Sequence, residues 1–187
     1  MTWQEAVAEM TVCQRCHLAK TRKNVVVYRG SAKPRILFVG EAPGRREDES
    51  GLPFMGSAGK ILDRAIAELA ISESEIGITN VFMCRPPGNV FDPVAAAACR
   101  PWLELKVRLL DPRVIVTLGA NPLRSFNAGA GPITSEAGHA FDWHRRKIFP
   151  MLHPASTLRR RAYAQRWKED ISGLKALLGS LREPQMP

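Results

Sequence analysis

Four short apolar runs, at residues 36–39, 78–83, 114–118 and 147–152, are separated by stretches with helical periodicity. The runs show no polar alternation, so each reads as a strand buried on both faces. Strands of that kind alternating with helices imply a parallel sheet covered on both sides. The pattern predicts helices over residues 3–10, 57–70, 92–110 and 162–181, with a short one from Asn121-Pro122. Ser57 is expected to cap the second of these, and Asp92-Pro93 to open the third. An edge strand is expected over residues 25–28 and a loop and hairpin over 127–146. Residues 183–187 are expected to form a disordered tail. With 187 residues and no linker or repeat, a single domain spanning 1–187 is expected.

The strand ends carry the chemistry. The first run opens into Gly40-Glu41-Ala42-Pro43-Gly44, followed by Glu47 and Asp48 and then by Gly51-Leu52-Pro53-Phe54-Met55-Gly56. Glycines there let backbone approach a ligand closely, and carboxylates can hold a water or face a developing cation. The turn could cradle a phosphate, but it lacks the lysine of a P-loop and the spacing of a dinucleotide fingerprint. The last run delivers His153-Pro154. In an open α/β sheet, the carboxyl ends of the strands are where a cleft forms. Asn80 lies inside a strand, where asparagine is disfavoured, and its amide offers both a donor and an acceptor to a base edge. Phe54 is either core or an aromatic platform for a flat ligand. His17, His139 and His144 have no comparable context and read as surface residues.

The charge narrows the partners. Lys and Arg outnumber Asp and Glu to give a formal net charge of +9, which points to an acidic partner, most simply nucleic acid. Arg45-Arg46 and Arg159-Arg160-Arg161 flank the two site loops. No apolar run is long enough to span a membrane, and the polar start shows no secretory pattern, so an intracellular, cytoplasmic protein without a membrane partner is expected.

Four cysteines remain: Cys13 and Cys16 at C-x-x-C spacing, then Cys84 and Cys99. In an intracellular chain, such a set suggests a four-cysteine site for zinc or an iron–sulfur cluster. Zinc ribbons pair two C-x-x-C knuckles. The wide split of the second pair therefore favours a cluster, with zinc as the alternative.

Taken in order, these pieces resemble the family 4 uracil-DNA glycosylases, the iron–sulfur branch of that superfamily. The matching segments are Gly40-Glu41-Ala42-Pro43-Gly44 with Glu47-Asp48, Gly51–Gly56 with Ala58-Gly59, Thr79-Asn80-Val81 leading to Cys84-Arg85-Pro86-Pro87, Cys99, Val116-Thr117-Leu118-Gly119, and His153-Pro154. The resemblance implies a three-layer α/β/α sandwich with a four-stranded, mainly parallel central sheet. It implies a structural [4Fe–4S] cluster on Cys13, Cys16, Cys84 and Cys99. The substrate would be uracil-containing DNA, bound by a monomer. The base would be flipped out of the stack onto Phe54, and Asn80 would read its O4 and N3 edge. His153 would bond uracil O2, and Glu41 or Glu47 would stabilise the sugar cation or orient water. Gly40, Ala42, Pro43 and Gly44 would line the base site, while Leu158, Arg159 and Arg160 would wedge into the duplex and hold phosphates. Two positions depart from the pattern. Ala155 stands where members commonly carry Ser, and Ala42 where other branches keep a water-activating Asp. A related branch traps uracil-DNA covalently through a histidine on an inserted basic loop. No matching histidine occurs here, so no covalent trap is expected.

Overall fold

The computed structural model of the protein describes residues 1–181, so the tail expected at 183–187 lies outside the described residues. In chain order the elements are α1 (Trp3–Thr11), β1 (Arg29–Gly30), β2 (Ile36–Gly40), α2 (Arg45–Ser50), α3 (Ser57–Glu68), β3 (Ile76–Asn80), α4 (Pro93–Leu110), β4 (Val114–Leu118), α5 (Ala120–Arg124), α6 (Ile133–Glu136), β5 (Phe141–Trp143), β6 (Arg146–Met151) and α7 (Arg161–Ser180). They build one sheet of order β1-β3-β2-β4-β6-β5. The inner four strands, β3, β2, β4 and β6, are parallel, as expected. The sheet is six-stranded rather than four-stranded because a short antiparallel strand closes each edge: β1 on β3 and β5 on β6.

Alternation along β2 shows why the strands are apolar throughout. Leu37 and Val39 face a core shared with Ala6 and Met10 of α1 and with Trp102, Leu103 and Val107 of α4. Ile36 and Phe38 face the opposite core, formed with Leu62 and Ala65 of α3 and with Trp167, Ile171 and Leu174 of α7. Both pleat faces are therefore dry, and the layers are α/β/α.

Several boundaries differ from expectation for local reasons. The apolar run at 78–83 leaves the sheet at Asn80. Val81 then donates its N–H to Gly40 O (2.9 Å), and residues 81–83 stay buried in the α1/α4 core. The expected edge strand at 25–28 pairs only from Arg29, because the Val27 carbonyl is taken by the Thr79 hydroxyl (2.9 Å). Gly56, not Ser57, occupies the N-cap of α3. Asp92 does cap α4, accepting from Ala95 N–H at 2.9 Å.

Candidate active site

Three turns at the carboxyl ends of β2, β3 and β6 enclose a cleft of about 480 Å³. Glu41, Ala42, Pro43, Gly44 and Glu47 come from the segment after β2, Asn80 from the end of β3, and His153, Ala155 and Arg159 from the segment after β6. Phe54 and the start of α3, Gly56, Ser57 and Ala58, complete the wall, with Asn89 at the margin. Parallel topology is the cause: each of the four inner strands delivers its last residue to the same edge.

Gly40 lies behind this wall. A Cβ there would stand 2.4 Å from Asn80 Oδ1 and 2.6 Å from Phe54 Cζ. Glycine is what lets the amide and the ring share one site. Phe54 itself adopts left-handed backbone (φ 58°), which costs about 1–2 kcal/mol for an L-residue. The strain is held by packing: Gly59 of α3 abuts the Phe54 carbonyl so closely that a Cβ would overlap it. Non-glycine residues in such backbone gather at binding sites. The Phe54 ring lies nearly parallel to the His153 imidazole, at 28° with centroids 6.1 Å apart.

The protonation of His153 follows from its surroundings. Burial, reinforced by the Arg159 charge and only partly opposed by Glu47, pushes its pKa down to about 4. The ring is therefore neutral at pH 7. Its Nδ1 accepts from the Ala155 N–H at 3.2 Å. In a neutral imidazole with Nδ1 accepting, the proton sits on Nε2, which becomes a donor.

The two carboxylates differ in their bonding. Glu47 braces backbone, with Oε2 accepting from Gly44 N–H at 3.0 Å and Oε1 from Gly56 N–H at 2.7 Å. It ties both ends of the 44–56 segment together. Glu41 is held by one side chain, Asn121 of α5, whose Nδ2 donates to Oε2 at 2.8 Å. Asn121 was not singled out from the sequence as a site residue. Its only sequence signal is its place just past β4, at a fourth strand end. Asp48, next to Glu47, faces away from the cleft. Its Oδ1 accepts from the N–H groups of Lys23 (2.9 Å) and Asn24 (3.3 Å), and it is almost wholly buried.

Leu158 is 65% exposed beside the cleft, at the end of the turn Pro154–Leu158. Arg159 reaches the cleft wall, whereas Arg160 turns to the Tyr163 ring at 5.6 Å. His17, His139 and His144 are exposed, and His17 pairs with Asp92 at 2.8 Å.

The four cysteines gather in the α1/α4 core, with Cys84 and Cys99 buried and Cys13 and Cys16 half-buried, and all four are free of disulfides. Among the described residues, no three His, Cys, Asp or Glu side chains converge to enclose a single metal ion. Polar donors reach two of the sulfurs. Trp102 Nε1 donates to Cys13 Sγ at 3.2 Å, Arg22 Nη1 donates to Cys84 Sγ at 3.5 Å, and Arg15 stacks over Trp102 at 4.1 Å. Burial, reinforced by the neighbouring cysteines, pushes the Cys84 thiol up to about 11 and the Cys99 thiol above its ordinary value, with Arg22 opposing the shift at Cys84.

The fold and the cleft place the molecule among α/β proteins whose ligand site lies at the carboxyl edge of a parallel sheet. The chain belongs to the uracil-DNA glycosylase superfamily: the sequence model of the Uracil DNA glycosylase superfamily matches residues 27–172. It is 37% identical to a Type-4 uracil-DNA glycosylase of Saccharolobus solfataricus, over 92% of this chain and 84% of that one. It is 40% identical to a Type-4 uracil-DNA glycosylase of Thermotoga maritima, over 89% of both chains. A Type-5 uracil-DNA glycosylase of Mycobacterium leprae is 31% identical over 62% of this chain and 66% of that one. No helix among the described residues is long and apolar enough to cross a membrane.

Proposed function

We propose that this protein is a uracil-DNA glycosylase, which flips uracil out of DNA and hydrolyses its N-glycosidic bond to leave an abasic site. The observation that carries the reading is His153, whose Nδ1 accepts from the Ala155 N–H and so leaves Nε2 as the donor, in one cleft with the buried Asn80 amide and the Phe54 ring. Extruded uracil stacks on Phe54, while Asn80 donates to O4 and accepts from N3–H. Cytosine presents the reverse pattern and would leave buried polar groups unpaired. As the glycosidic bond lengthens, charge accumulates on the departing base, and the His153 Nε2–H donates to O2, where that charge collects. The sugar becomes cation-like. Glu41, steadied by Asn121, faces it and takes a proton from the attacking water, whose oxygen bonds to C1′. Glu47 is spent on backbone bracing, which favours Glu41 for this role.

The basic neighbours complete the substrate site. Leu158 enters the stack in place of the extruded base, and Arg159 and Arg160 meet phosphates. Cys13, Cys16, Cys84 and Cys99 hold a [4Fe–4S] cluster. The N–H···S bonds from Trp102 and Arg22 support a thiolate set of net negative charge. When bound, the cluster supplies structural cross-linking rather than redox chemistry. The protein is proposed to act as a monomer inside the cell.

The test uses anaerobically purified protein and oligonucleotides carrying one uracil, with cytosine and thymine controls. Alkali-labile cleavage at uracil alone is the expected result. No cleavage by cluster-replete protein overturns the reading, as does a band shift surviving denaturation, which would mark a covalent trap.

A further inference from the structure

Lys106 of α4 is completely buried. Buried lysines are rare unless they are paired, because the ammonium loses its hydration. No carboxylate meets it among the bonds the structure defines. Its Nζ donates instead to Thr79 Oγ1 at 2.6 Å and to the Asn80 carbonyl at 3.2 Å. Thr79 passes the bond on, donating its hydroxyl to Val27 O at 2.9 Å. Three segments are thereby pinned at one point: α4, the last two residues of β3, and the chain before β1. Asn80 is where β3 leaves the sheet, and beyond it the Val81 N–H is fixed on Gly40 O. A hydrocarbon side chain at position 106 would fill the same space and pack as well. The charged donor group therefore asks for another explanation.

We propose that Lys106 is a positioning residue for base recognition, setting the direction in which the Asn80 amide enters the cleft. The inference rests on the uracil reading of that cleft. Lys106 touches no substrate atom. It acts by holding the Asn80 peptide from behind, so that the amide meets the base edge without first having to be ordered. Cys99 lies two helical turns earlier on the same face of α4. One helix thus connects the cysteine corner to the base-reading residue.

The test is a double-mutant cycle on the full, cluster-loaded chain, using K106M, N80A and the double variant. Single-turnover excision of uracil and inhibition by free uracil are the readouts. K106M should lower excision and weaken free-uracil inhibition about tenfold in the parent, and change neither more than twofold on the N80A background. Equal fractional losses in both backgrounds overturn the proposal, as does an unchanged parent with only a lower Tm. Should K106M not fold, K106Q carries the same cycle. Its neutral amide keeps a donor, so a loss of about threefold in the parent and none on N80A is expected, and equal losses again overturn the proposal. Crystal structures of the parent and the lysine variant provide a readout that does not depend on activity. The Asn80 amide should move by about 0.5 Å or more, and an unmoved Asn80 overturns the assignment. A parent inactive on uracil rejects the glycosylase reading, and the Asn80 displacement still decides the role of Lys106.

Discussion

At the scale of single residues, the cleft depends on two groups whose hydrogen-bonding sense is fixed by neighbours. Asn80→Asp removes the donor that meets O4 and adds an acceptor. Excision of uracil should fall by roughly 10- to 100-fold, in line with the worth of one bidentate base contact, while cytosine excision becomes measurable. Single-turnover assays on the two bases check both. His153 makes a prediction about pH. Its folded pKa of about 4 lies below the ordinary 6.5, so between these values the unfolded chain binds more protons than the native one. Stability should therefore rise with pH through that window and be lost as pH falls from about 6.5 towards 4. His153→Gln should flatten that part of the curve in chemical denaturation, and excision by the parent should show no ionisation of this imidazole near pH 6.5. Asn80 and His153 were legible because each breaks a local rule: an amide in a strand and an imidazole at a strand end. Asn121 and Lys106 were not. One sits in an ordinary helix start, and the other is a lysine, a residue type that is rarely buried, so its place among apolar helix neighbours drew no notice.

At the scale of elements, the clearest departure from the sequence pattern is α2. Arg45–Ser50 has no apolar stripe, so periodicity gives no sign of a helix there. It forms because Glu47 caps it from within and Gly51 ends it in left-handed backbone (φ 76°). Glu47→Ala would leave the Gly44 and Gly56 N–H groups without that acceptor. The cost should be about 2 kcal/mol, lowering Tm by roughly 4–8 °C, together with weaker uracil binding as the 44–56 segment loosens. Calorimetry with and without uracil separates the two effects. Long helices and parallel strands, by contrast, announced themselves. α7 and β4 match their expected spans within a residue, α7 because its apolar residues recur with helical period and β4 because its apolar run is unbroken.

At the scale of the whole molecule, the parallel order of β3, β2, β4 and β6 was legible from apolar runs alternating with helices, and with it the edge on which the site would lie. The edges were legible only in outline, as an edge strand at 25–28 and a hairpin within 127–146, since β1 has two residues and β5 three, too few to carry a period. The net charge of +9 makes binding to uracil-free duplex a test of the proposed footprint. Affinity should fall steeply with salt, and Arg159→Gln should reduce the slope of log K against log salt by about 0.9, the loss of one phosphate contact. An unchanged slope would remove Arg159 from the interface. Iron and labile sulfide should accompany the protein in a 1:1 ratio, and chelation of the iron should lower Tm, because α1 and α4 share the cysteine core.

Glu47 and Asp48 are consecutive, yet one faces the cleft and the other the segment at Lys23 and Asn24. Neighbours on a helix point about 100° apart, so a single inserted or deleted residue between Gly44 and Glu47 would turn one of them to where the other now points and leave the second without its partners. The identities of Arg45 and Arg46, both solvent-facing, are open to drift. Their number is not. In the descent of such chains, this stretch should tolerate many spellings and only one length.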